Sequence, residues 1–135
     1  MNTTKNASRG LVLIALFTVT GCGQFTDYSV EEWWQRVIQV DASNFADIKH
    51  FTLQGIDYSH HFRFKFKNRS DLDEIIRKHK LTADARPIQF LSNNIPSWFV
   101  PPENANAYSN GNSDPSIVFW IDDDSQVAYL ELVEI

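Results

Sequence analysis

Histidines and carboxylates are the side chains of this sequence with chemistry to offer, and their spacing limits what they can do together. His60 and His61 are adjacent, so on an extended strand they project to opposite faces and do not hold one ion between them. No Cys or carboxylate stands at metal-ligand spacing from His60, and His50 and His79 are lone as well, so no metal centre is expected. Asp122, Asp123 and Asp124 lack the alternating oxygen ligands and closing Glu of a calcium loop, and read as a solvated turn. A small hydrolase would use His60 or His61 with Asp57 as base and orienting carboxylate, which is the enzymatic alternative. It has no evident nucleophile: no Ser stands in a Gly-flanked elbow, and Gly-rich phosphate loops are absent. The chain is therefore read as a non-enzyme that needs no cofactor.

Two groups of residues are better suited to recognition. Arg63, Lys65 and Lys67 alternate along one strand face, with Arg69 just beyond, and present positive charge to a phosphate, a lipid headgroup or an acidic protein; otherwise they are plain solvated cations. Trp98 and Phe99 lie between Pro96 and the pair Pro101 and Pro102, a stiff frame that offers large aromatic area at low ordering cost. Being adjacent, they face opposite ways in an extended segment, so one is expected to pin the loop to the sheet and the other to face out.

The address of the protein is written at its start. Lys5 and Arg9 precede a short apolar run over residues 11–19, too short to span a bilayer, and small residues follow. The run ends in Val19-Thr20-Gly21-Cys22, which resembles the lipobox of bacterial lipoproteins: an aliphatic residue three before the cysteine, with small residues between. That resemblance implies cleavage before Cys22, a diacylglyceryl thioether on its thiol, and usually a further acyl group on the new amino terminus. Residues 1–21 are then the signal peptide, 22–28 a lipidated tether and 29–135 the folded domain. Gly23 instead of Asp after the cysteine implies sorting to the outer membrane in a Gram-negative host. The partners expected are the membrane, through lipidated Cys22, and an envelope protein.

Composition agrees with an exported, packed domain. Cys22 is the sole cysteine, so no disulfide forms within the chain and stability rests on packing. Processing removes two basic residues of 12 and none of the 17 acidic ones, which leaves 10 − 17 = −7 on the mature domain. Nucleic acid is an unsuitable partner for such a surface. Residues 23–28 reach at most roughly 20 Å when extended, so the domain is held close to the membrane.

The elements that must position these residues follow from periodicity. Ser29 and Glu32 form a capping box, Tyr28 and Trp33 occupy the positions of a hydrophobic staple, and Val30, Trp33, Trp34, Val37 and Ile38 make a helical stripe facing a core or, less in keeping with its non-basic polar face, lipid headgroups. Residues 41–47 read as a turn or one irregular helical turn, 48–54 as a strand, and 55–57 as a bend. Residues 58–67 then alternate: Tyr58, His60, Phe62, Phe64 and Phe66 on a buried face, His61, Arg63, Lys65 and Lys67 on a wet one. Ser70, bonding the Asp73 N–H, is expected to cap a second helix with the stripe Leu72, Ile75, Ile76 and His79. Residues 82–115 read as a long connection with short extended pieces at 88–91 and 98–100. Residues 116–121 and 126–134 form a terminal hairpin with apolar residues on both faces, so part of its second face is expected to lie under the long connection. The expected fold is a single α+β domain of about four mainly antiparallel strands with two helices packed on one face. This order of elements also resembles that of small uncharacterised bacterial envelope lipoproteins, a likeness that implies no activity.

Overall fold

The computed structural model describes residues 28–54, 58–87 and 94–134. The chain runs α1 (Val30–Val37), a 3-10 turn (Ala42–Asn44), β1 (Phe45–Gln54), β2 (Tyr58–Phe66), α2 (Arg69–Lys78), β3 (Thr82–Ala83), β4 (Asn106–Ser109), β5 (Ser116–Asp122) and β6 (Val127–Glu134). The strands form one open antiparallel sheet in the order β1-β2-β6-β5-β4-β3. The fold is thus α+β, with two helices, and the strand count is six where the sequence suggested about four.

α1 begins as its sequence dictates. The Ser29 hydroxyl accepts from the Glu32 N–H at 3.2 Å, and the Glu32 carboxylate accepts from the Ser29 N–H at 2.7 Å. Tyr28 meets Trp33 edge-on with centroids 5.0 Å apart, which completes the staple. One turn further, Trp34 is fully buried and donates its indole N–H to the Val40 carbonyl at 2.6 Å, so a large apolar body enters the core with its polar atom satisfied. Trp34 and Ile38 join Phe62, Phe64, Leu72, Ile75, Phe119 and Leu130 in the main core, which therefore gathers both helices onto the face of the sheet that carries the β2 phenylalanines.

Several boundaries differ from the sequence reading, each for a local reason. α2 starts at Arg69 with Asn68 at its N-cap in an extended conformation and without a side-chain cap bond; Ser70 lies inside the helix and is exposed. The Asn68 amide turns instead to the Asp71 carboxylate at 3.4 Å. β1 starts at Phe45, earlier than position 48, because an irregularity between Ala46 and Lys49, with Asp47 at φ 49°, lets the strand continue past a break in its alternation. The bend at 55–57 and the extended piece at 88–91 lie outside the described residues. Trp98 is in a turn, and neither Phe99 nor Val100 belongs to a strand. Strands β3 and β4 arise within the long connection: polar Asn106 and Ser109 have little strand propensity of their own, and the ladder to β5 supplies what the sequence lacks.

The other face of the sheet carries a second cluster, in which Phe99 packs with Val118, Trp120, Val127 and Tyr129. The long connection thus covers this face, as the apolar residues on both sides of the terminal hairpin require. β6, flanked by β2 and β5 and covered on both faces, is buried along nearly all of its length.

Candidate functional sites

The face of β2 read as wet is wet only in part. Lys65 and Lys67 are exposed and Arg63 is half-buried, but His61 is as buried as the phenylalanines. Its Nε2 stands 3.4 Å from Oε2 of Glu131, which the antiparallel register places directly opposite on β6. Phe99 covers the pair, its ring edge-on to His61 at 4.9 Å. An imidazole and a carboxylate, each 1% exposed, are thus enclosed between sheet and loop. Asp57, the partner required by the hydrolase alternative, lies outside the described residues.

Lys65, Arg63 and Arg69 are tied to the domain. Lys65 pairs with Asp47 at 2.5 Å, and that bond and charge hold the Asp47 carboxyl below its ordinary range. Arg63 sits 5.9 Å from the ring centre of Tyr129. Arg69 reaches Asp123 at 3.3 Å and the Tyr108 hydroxyl at 2.9 Å. Lys65 and Lys67 nonetheless border a cleft of about 390 Å³ together with Asn44, Asn68, Asp71 and Gln126, so the structure brings two of the three candidate cations to one concave place. Arg63 does not line it.

Trp98 and Phe99 differ in burial, but not by alternation along an extended segment: both rings lie at the same cluster, edge-on to each other at 6.2 Å. Phe99 is 2% exposed and meets His61, Trp120 and Tyr129 edge-on. Trp98 is half-buried against the rim of the same cluster, and the next residue, Val100, is 65% exposed. The outward surface of the loop is therefore shared by Trp98 and Val100, the second of which the sequence reading did not single out.

A further group appears only in three dimensions. Pairing of β1 with β2 sets Thr52 opposite His60 and His50 opposite Phe62, so His50 and His60 are diagonal neighbours on the helix-covered face. His50 Nε2 lies 3.0 Å from His60 Nδ1, and the Thr52 hydroxyl is 3.3 Å and 3.4 Å from these two nitrogens. Trp33 of α1 packs over both rings, and Tyr58 meets His60 edge-on at 4.9 Å. Burial pushes both imidazoles down to about 4; the charges of His60 and His61 add to the effect at His50, and that of His61 at His60. At neutral pH both rings are uncharged. The signal missed in the sequence was the alternation of His50 and Thr52 within the first strand, which becomes informative only with the hairpin register.

His79, on the α2 stripe, donates from Nε2 to the Ile38 carbonyl at 2.9 Å and so links the ends of the two helices. Burial holds its pKa below the ordinary histidine value, against the opposing pull of that carbonyl, and Lys78 lowers it further.

Compared with protein-family models, curated proteins and solved structures, the chain matches none. Among the described residues no helix is long and apolar enough to cross a membrane.

Proposed function

We propose that this protein is a lipid-anchored lipoprotein of the bacterial cell envelope, in the outer membrane of a Gram-negative host, and that its domain is a non-enzymatic binding or accessory module working close to the membrane surface. The observation that carries the reading is Val19-Thr20-Gly21-Cys22 after a positive start and a short apolar run. The start of α1 at Val30, behind a fixed cap at Ser29, supports it, because so few residues between Cys22 and the cap keep the domain near its anchor. Two acyl chains or more give anchoring that one does not.

For recognition, the Trp98 and Val100 surface is favoured over the basic strand. Phe99 holds the loop to the sheet, so an exposed apolar contact is presented on a fixed support. Lys65 already has Asp47 as a partner, which weakens its claim on an external anion. The test is affinity capture from detergent-solubilised envelopes with the full-length lipoprotein. Trp98→Ala is expected to lose a specific envelope protein that wild type retains, while Lys65→Ser with Lys67→Ser keeps it. An unchanged profile for Trp98→Ala, with loss in the lysine variant, moves recognition to the cleft; no specific protein captured by wild type overturns the binding-module reading.

A further inference from the structure

The His50, His60 and Thr52 group brings two imidazole nitrogens and a hydroxyl within hydrogen-bond distance of one another. Its three heteroatoms form a triangle with sides of 3.0, 3.3 and 3.4 Å. A tetrahedral ion with nitrogen and oxygen ligands at about 2.0 Å sets neighbouring donors about 3.3 Å apart. The observed triangle thus has the size of one face of such a coordination sphere.

We propose that His50 Nε2, His60 Nδ1 and Thr52 Oγ1 bind a divalent transition-metal ion of the zinc or copper class. Two imidazoles select that class over magnesium or calcium, which prefer all-oxygen sites, and copper is expected to bind more tightly than zinc. Among the described residues no three His, Cys, Asp or Glu side chains converge, so the set is completed by a hydroxyl and carries no negative charge. The site is accordingly a weak, exchangeable one. Binding replaces the hydrogen shared between the rings: one imidazole shifts its proton to the outer nitrogen, both stay neutral, and no net proton is released.

The surroundings hold the ligands in place. His60 is 3% exposed on β2, which is paired on both sides, and its ring is fixed between Trp33 and Tyr58. His50 and Thr52 lie on β1, the edge of the sheet, and are only partly buried, which provides the approach for an ion. Trp33, centred 4.6 Å from the His60 ring and 5.3 Å from the His50 ring, is close enough to report binding by its fluorescence.

The test uses the full-length lipoprotein, untagged, stripped with chelator and titrated with copper(II) or zinc(II) salts in a non-coordinating buffer. Calorimetry is expected to show one saturable site and quenching of Trp33 fluorescence by copper, absent in Trp33→Phe. His50→Gln and His60→Gln are each expected to weaken binding by at least about tenfold, and Thr52→Val by less. His79→Gln is expected to bind as wild type does. His50→Gln, at a half-buried edge position, keeps the test decisive should His60→Gln fail to fold. Absence of saturable binding by wild type, or binding that survives His50→Gln, overturns the proposal.

Discussion

His61 and Glu131 face each other across β2 and β6 with 3.4 Å between Nε2 and Oε2, both closed off from solvent beneath Phe99. Enclosing an ionisable pair in a domain without disulfides sets a desolvation cost against their mutual attraction, and removing one member leaves the cost without the attraction. His61→Ala is expected to destabilise the domain by about 3–5 kcal/mol, whereas His61→Leu combined with Glu131→Leu is expected to be neutral or stabilising. Urea denaturation of the two variants beside wild type checks this; a double variant as damaged as the single one would mean that the pair contributes net stability.

The loop residues are expected to separate by role. Phe99→Ala removes a ring packed against His61, Trp120 and Tyr129 and should destabilise by about 3–5 kcal/mol. Trp98→Ala, at a half-buried rim position, is expected to lower the melting temperature much less. Thermal denaturation followed by circular dichroism compares them, and equal losses would show that both rings only pin the loop.

Helix caps give a sharp pair. Ser29→Ala removes an acceptor from the first turn of α1 and is expected to cost about 1 kcal/mol. Ser70→Ala, inside α2 and exposed, is expected to be neutral or slightly stabilising because alanine is the better helix former. Chemical denaturation distinguishes this from the capping role that the sequence suggests for Ser70.

His79 predicts part of the acid sensitivity. Its folded pKa lies below the unfolded value of about 6.5, so the fold prefers the neutral ring. The unfolded chain then binds more protons in acid, and the stability tied to the neutral ring, complete above about 6.5, is lost as pH falls toward the folded pKa. His79→Gln is expected to show a shallower fall in stability below pH 6.5 than wild type. Unfolding free energies measured from pH 7.5 downward test it; an unchanged slope would remove His79 from the account.

How much was legible in the chain depended on whether a residue's role was local. The capping box at Ser29, the Phe62, Phe64 and Phe66 alternation and the terminal hairpin are set by neighbours within a few positions, and the fold carries them as read. The burial of His61 was not legible, because it follows from Glu131 on a distant strand and from Phe99 on a loop. The His50 and His60 contact likewise depends on the register of β1 against β2. β3 and β4 were hidden for the same reason: Asn106–Ser109 is a strand because β5 offers it a ladder, and Thr82–Ala83 because β4 then does.

The central claim, a lipid anchor at Cys22, is tested most directly by the intact mass and N-terminal peptide of the protein extracted from host membranes, beside a Cys22→Ala control. Lipidation requires a wild-type chain that lacks residues 1–21 and begins at an acylated Cys22, and a control that stays uncleaved. A wild-type chain that keeps residues 1–21 with a free Cys22 thiol and is recovered from the cytoplasm would contradict it.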